Sequence, residues 1–295
     1  MKEKNMTALV SGFARCYHYK NNKYRIFNDN ISGKILSDEE YNLIASNMVN
    51  GIKFFNPNFE GSKEDALRWI VDNQLSPSVL GRSIFCEKSL KNAIKIGCKE
   101  YLIFASGYDT FAYRNNIDNL KVFEIDKSEM IEDKISRLSN SKLDYSKVNF
   151  IKCDFKKDNL ISSIINSNYD RNQISFSSLL GISYYLTKEE FSNMIKSISS
   201  IICDGSSIVF DYQNYEDSKE TKINEELAKN TNEEMKSKYS YNEIEDILEG
   251  NGLLVYEHLD DKDMTNTYFY NYNTLNPNNK IVAPKGVCYL LAVKK

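Results

Sequence analysis

Glycine and proline are scarce in this chain, 12 and 4 among 295 residues, where average usage would supply about 20 and about 15. That shortage excludes collagen-like repeats, proline-rich segments and Gly/Ser linkers. It also makes each glycine in a loop informative. An excess of one charge is lacking too: 38 Lys and Arg face 41 Asp and Glu, for a formal net charge of −3. The basic residues are dispersed among acids, so there is no electrostatic footprint for nucleic acid or for an acidic membrane surface. The only histidines, His18 and His258, lie far apart, and the cysteines at 16, 86, 98, 153, 203 and 288 form no C-x-x-C pair. No metal site is expected, and reduced, buried thiols in a cytoplasmic protein are. Long apolar runs are missing as well. Residues 6–10 are too few for a secretory leader, and residues 176–186 are interrupted by Ser177, Ser178, Gly181 and Ser183, so no bilayer span is expected.

What is present suits a folded α/β protein. Hydrophobic residues make up 41% of the chain, with 20 Tyr and 15 Phe, enough for a large core. The first hundred residues read as helices. Ser37 with Glu40, and Ser62 with Asp65, have capping-box spacing, and Ser76-Pro77 reads as a cap followed by a proline in the first turn of a third helix that stops at Gly97. From residue 100 the pattern changes to short apolar runs at 101–105, 121–125, 148–153, 174–180 and 207–211, separated by helical stretches. One of these, opened by Thr187 and Glu190, repeats the capping box. Strands alternating with helices imply a parallel sheet covered on both faces. Residues 212–238 read as a charged, Asn-rich insertion. Ser240 and Glu243 cap a further helix, and residues 253–256 and 287–293 read as the last two strands.

In an open parallel sheet, ligands bind beyond the carboxyl ends of the strands. Here that location is the turn at 105–110. A dinucleotide site would need G-x-G-x-x-G, so that a pyrophosphate meets bare backbone donors. This turn keeps only Gly107 and places the carboxylate of Asp109 nearby, which repels a phosphate and suits a ligand bearing an ammonium or sulfonium, as S-adenosylmethionine does. Asp126 ends the next strand, 19 residues after Gly107, close to the spacing of an acid that binds ribose hydroxyls.

The segment from Phe104 to Arg114, FASGYDTFAYR, resembles the G-x-G-x-D-T-x-x-x-R signature of the leucine carboxyl methyltransferase family of S-adenosylmethionine-dependent enzymes. Phe123 to Asp126 followed by Lys134, Asp154-Phe155, the segment GISYYLT from Gly181 to Thr187, and Phe210 to Tyr212 fall in that family's order. Thr7 to Arg15 and Phe27 to Asp29 resemble its opening block. The resemblance covers roughly residues 7–212 and implies a Rossmann-like class I methyltransferase sheet of seven strands, one antiparallel. In that reading residues 1–98 form a helical cover or lid, and residues 99–295 form the core, with a helical insertion near 213–240.

The resemblance further implies that Ala105 and Gly107 let the backbone approach the cofactor, that Asp126 takes the ribose hydroxyls, and that Asp154 and Phe155 sit by the adenine. Arg82 matches an arginine holding the methionine carboxylate, with Arg15 a second candidate for the same group. Arg114 is assigned a structural role, pairing with acids such as Asp109. Three positions depart from the family pattern. Ala105 replaces a glycine, an exchange expected to be accommodated at negative φ. Leu180 replaces an acid, and Phe111 an arginine, so weaker cofactor affinity is expected. Tyr184, Tyr185, Asp211 and Tyr212 are the acceptor-side candidates, with Asp211 either a general base or a helix cap. His258 is expected on a late strand in a structural role, and residues 265–272 line an acceptor pocket or pack on the sheet.

The expected activity is methyl transfer to a small-molecule hydroxyl or carboxylate, or to an exposed protein carboxylate. The alternatives are a methyltransferase-fold protein that binds S-adenosylmethionine or another nucleoside without efficient turnover and, more distantly, a nicotinamide-dependent oxidoreductase.

Overall fold

Seven strands form one sheet in a computed structural model that describes residues 6–115, 117–216 and 234–295. The strands are β1 (Glu100–Phe104), β2 (Lys121–Asp126), β3 (Val148–Lys152), β4 (Ser175–Leu179), β5 (Ser207–Gln213), β6 (Leu253–Leu259) and β7 (Val287–Lys294). Their order is β3-β2-β1-β4-β5-β7-β6. β1 pairs in parallel with both β2 and β4, while β7 runs antiparallel between β5 and β6. The chain therefore reverses its direction of build-up at β1 and β4, and a ligand crevice opens beyond their carboxyl ends.

The apolar runs are continuous because the sheet is buried on both faces. Leu102, Phe104, Phe123, Ile125, Ile208 and Phe210 point into a core closed by the helices Lys188–Ile201 and Tyr241–Glu249. Their alternates Tyr101, Ile103, Val209 and Tyr289 face the helix Ser76–Lys95. Phe269 and Tyr272 join that second core, so the aromatic segment at 265–272 packs on the sheet. Four capping boxes stand where the sequence places them, at Ser37, Ser62, Thr187 and Ser240.

The structure corrects one reading. Ser76 is not a helix cap: the helix Lys63–Ile70 continues through a π turn, Val71–Leu75, into Ser76–Lys95, and the Ser76 N–H donates to the Val71 carbonyl. Pro77 supplies the physical reason, since it lacks an N–H and its ring crowds the carbonyl four residues back, and a widened turn relieves both. Residues 217–233, most of the expected insertion, lie outside the described residues, while the last few of it, from 234 to 240, adopt neither helix nor strand. Among the described residues no helix is long and apolar enough to cross a membrane.

Candidate active site

The carboxyl end of β1 runs into the turn holding Ala105, Ser106 and Gly107. Gly107 has φ +45°, and the Gly107 N–H donates to Asp126 Oδ2 at 2.8 Å, while the Lys127 N–H donates to Asp126 Oδ1 at 2.8 Å. The acid at the end of β2 is thus fixed against the glycine turn. Burial raises its carboxyl, opposed by those two N–H donors. Ser106 Oγ is buried at this turn without a hydrogen-bond partner among the described residues. Ala105 has φ +50°, not the negative value expected of it, so the methyl group replaces a glycine in the left-handed region.

Across the crevice Arg82 occupies a second group. Its Nη1 donates to the Tyr184 hydroxyl at 3.1 Å and its Nη2 to Ser11 Oγ at 3.1 Å. Asp211 Oδ2 lies 3.8 Å from Nη1, too far for a hydrogen bond. Asp211 Oδ1 accepts the Gly181 N–H at 2.7 Å. The guanidinium lies directly over Gly181, where a Cβ would stand 2.5 Å from Nη1 and where φ is +70°. The same close approach recurs one residue earlier on the helix, where a Cβ on Gly81 would stand 2.7 Å from the Tyr289 hydroxyl.

Asp211 is fully buried, with its carboxyl pushed up by burial and drawn down by Arg82. It caps no helix and has no exposed face; it seats the arginine and the Gly181 backbone. Tyr185 is half-buried and packs edge-on against Tyr184 at 4.8 Å.

Arg15 is committed elsewhere: its Nε donates to Asp29 at 2.8 Å and its Nη2 to the Tyr108 carbonyl at 2.7 Å. Asp29 also accepts the Thr110 hydroxyl at 2.7 Å. Arg114 pairs with Glu87 and stands 3.5 Å from Asp29. Asp109 acts on Arg114 through its charge without an ion pair as close as those with Glu87 and Asp29, and one oxygen of that carboxylate closes the turn on the Phe111 N–H at 2.7 Å. Phe111, at the position of an arginine in the family, is buried edge-on against Tyr101 at 5.1 Å.

Asp154 is half-buried beyond β3, with one oxygen on the Lys156 N–H at 3.1 Å and the other 3.4 Å from Lys157 Nζ. Phe155 packs toward the core, 6.3 Å from Phe104. Both histidines are remote. His258, on β6, bonds the Tyr212 hydroxyl at 2.8 Å, so Tyr212 turns towards that strand. His18 is buried, accepts the Ile26 N–H at 3.0 Å, and is held by burial down to about 4. The structure therefore joins Ala105, Gly107 and Asp126 in one group and Arg82, Tyr184 and Asp211 in another. The helix Met6–Asn21 bridges them, with Ser11 on Arg82 and Arg15 on Tyr108.

Sequence reasoning missed Gly181 as the seat of the guanidinium, although the scarcity of glycine was the available signal. It also missed Ser11 and Asp29, whose roles depend on contacts distant in sequence.

A family model described as leucine carboxyl methyltransferase matches residues 8–199. This chain belongs to the leucine carboxyl methyltransferase family. It is 36% identical over 306 residues, 99% of each chain, to YktD of Bacillus subtilis (strain 168), provisionally described as an S-adenosyl-L-methionine-dependent methyltransferase. Two solved structures share the fold at low identity. A DUF574 family protein from Streptomyces avermitilis MA-4680 is 11% identical, with a TM-score of 0.59 over 98% of this chain and 97% of that one. A protein from Thermobifida fusca YX, provisionally described as a methyltransferase, is 12% identical, with a TM-score of 0.56 over 98% and 94%. By family and fold the chain is an S-adenosylmethionine-dependent class I methyltransferase. The donor set suits that cofactor, with a guanidinium whose hydrogen-bond partners are neutral hydroxyls, bare backbone at Gly107 and an acid beside it.

Proposed function

We propose that this member of the leucine carboxyl methyltransferase family methylates a carboxylate oxygen of its acceptor, on a small molecule or an exposed protein group. The observation that carries this reading is how Asp211, Asp126 and the two histidines, four candidate bases, are held. Asp211 is buried beneath Arg82, Asp126 accepts two backbone N–H groups, and both histidines are bonded elsewhere. A hydroxyl acceptor needs a base to remove its proton, whereas a carboxylate is already a nucleophile.

The cofactor supplies an electrophilic methyl group on a sulfonium. In this reading Arg82 holds its methionine carboxylate as a fork, Asp126 takes the ribose hydroxyls, and Asp154 and Phe155 border the base. Tyr184 steadies Arg82, Asp211 positions it from below, and Tyr185 and the apolar wall at Leu180 face the acceptor. Alignment of two bound reactants can contribute about 7–11 kcal/mol, so a site that orients and excludes water suffices. The helices before β1 act as the cover that supplies Arg82 and Ser11. The six cysteines, none of them in a disulfide, suit a reducing compartment such as the cytoplasm.

Incubation with S-adenosylmethionine carrying a tritiated methyl group, against pools of carboxylic acids and of phenols, tests the reading. Transfer to acids, with label released as methanol by mild base, is the expected result. Base-stable label on phenols would assign a hydroxyl acceptor instead. Cofactor binding with no transfer to any acceptor would favour the non-catalytic alternative.

A further inference from the structure

Beyond the carboxyl end of β5 lies an open cavity of ≈ 570 Å³, within the range of about 300–1,000 Å³ usual for small-molecule sites. It is lined by the start of the helix Lys188–Ile201, by Gln213 and Tyr215, and by residues 234–238. Two observations tie it to the arginine seat. Gln213 follows Asp211 by two positions on β5, about 7 Å along the strand, and Asp211 Oδ2 stands 3.8 Å from Arg82. The wall at residues 234–238 is fastened to Tyr184, whose carbonyl accepts the Lys236 N–H at 2.7 Å and whose hydroxyl accepts Arg82 Nη1.

Several polar groups on the walls are spent. Thr187 caps its helix, Lys188 bonds Glu243 and the Tyr215 hydroxyl, and the Gln213 carbonyl accepts the Tyr239 N–H at 2.9 Å. Two groups are not spent. Gln213 is 5% exposed, yet its side-chain amide has no hydrogen-bond partner among the described residues; an amide buried to that degree normally has one. Lys236 Nζ stands 3.9 Å from Glu190, beyond hydrogen-bond reach, and that carboxylate already accepts the Thr187 N–H at 2.8 Å. Among the lining residues three lysines outnumber one acid, Glu234. An amide N–H and an ammonium in one cavity of positive sign are the complement of a carboxylate.

We propose that this cavity holds the methyl acceptor and that the acceptor is a small diacid, with one carboxylate held by Gln213 and Lys236 and the other presented towards Tyr184 for methylation. The inference rests on the reading that the methylated group is a carboxylate. A carboxylate whose lone pairs are engaged by an ammonium and an amide is a weakened nucleophile. The anion at Gln213 and Lys236 is therefore the handle of the acceptor, and a second carboxylate on the same molecule receives the methyl group.

The test reads methyl transfer and binding in the whole protein, with straight-chain dicarboxylates from succinate to suberate and their monoamides as probes. Transfer to at least one dicarboxylate should exceed transfer to its monoamide by roughly ten- to a hundred-fold in kcat/KM, the usual worth of a hydrogen bond to a charged group. Mild base should release that label as methanol. Gln213→Leu and Lys236→Gln should each bring the dicarboxylate down towards the level of its monoamide. In calorimetry, protein saturated with S-adenosylhomocysteine should bind the same dicarboxylate correspondingly more weakly in both variants. Their affinity for S-adenosylhomocysteine and their melting temperatures should stay those of the wild type. Equal transfer to dicarboxylate and monoamide, no transfer to any dicarboxylate, or no effect of either variant overturns the diacid proposal and leaves the carboxylate reading standing. A variant that loses affinity for S-adenosylhomocysteine also overturns it, by placing its residue in the cofactor seat. Base-stable label on phenols alone would overturn the carboxylate reading itself, and the proposal with it.

Discussion

Gly181 does more than turn the chain after β4. Its missing side chain is the space that the Arg82 guanidinium fills, and its N–H is what Asp211 accepts. Gly181→Ala should therefore strike twice. A left-handed φ costs a non-glycine residue about 1–2 kcal/mol, and the methyl group displaces the guanidinium. The expected outcome is a modest fall in melting temperature together with at least a tenfold loss of affinity for S-adenosylhomocysteine; a variant that loses stability but binds normally would separate Arg82 from the site. Ala105 is the opposite case. It occupies φ +50° with a Cβ, so Ala105→Gly removes strain, partly offset by the greater freedom glycine gives the unfolded chain. A net gain of up to about 1 kcal/mol is expected, roughly 2 °C in melting temperature for a domain of this size. The sequence identified the position as unusual, but the sign of a backbone torsion is not written in residue types.

At the level of elements, what the sequence made legible was local. Capping boxes depend on two side chains three residues apart, and those at Ser37, Ser62, Thr187 and Ser240 were visible for that reason. The seven strands were equally visible as apolar runs. The π turn was not, because Ser76-Pro77 satisfies the rule for a helix start, and only packing determines that the helix passes through it. That turn buries Asp72, which stands 3.7 Å from Arg68 with Oδ1 lacking a hydrogen-bond partner. Burial pushes its carboxyl up from 3.8 to about 6, against the pull of Arg68. A carboxyl raised in the folded state favours folding while protonated. That contribution is complete below about pH 4 and is lost as the pH rises through about 6. Asp72→Asn removes the dependence. Urea denaturation of both proteins at pH 4 and pH 7 should show the variant gaining roughly 1–3 kcal/mol relative to wild type between the two values. A constant difference would mean that the Asp72 carboxyl titrates alike in the folded and unfolded chains.

For the molecule as a whole, the decisive contacts join segments far apart in sequence. The bridging residue is Asp29, on the loop that follows the helix Met6–Asn21. It is fully buried and accepts Arg15 from that helix, the Thr110 hydroxyl from the turn beyond β1, and the backbone of Ile31 and Ser32. Arg114 approaches it and joins it to Glu87 on the helix Ser76–Lys95. Cover, glycine turn and arginine-bearing helix thus meet on one carboxylate. No pattern of spacing could have disclosed this, since each partner alone resembles an ordinary surface charge. Burial alone would raise the Asp29 carboxyl, but Arg15 and Arg114, with the Thr110 hydroxyl, hold it below the usual carboxylate range. Its contribution is therefore full above the unfolded value and is lost as the pH falls through the lower folded one. Asp29→Ala leaves two guanidinium groups facing a cavity, and breaking a buried pair in this way costs about 3–5 kcal/mol. The deficit should be largest at neutral pH and shrink in acid. Because the same carboxylate ties the cover to the turn, cofactor linkage should weaken as well. At a ligand concentration of 100 times the dissociation constant, S-adenosylhomocysteine stabilises a single-site protein by about 2.7 kcal/mol. At the concentration that achieves this for the wild type, D29A should show a clearly smaller gain in denaturation midpoint. An equal gain would mean that the cover and the cofactor site are energetically independent.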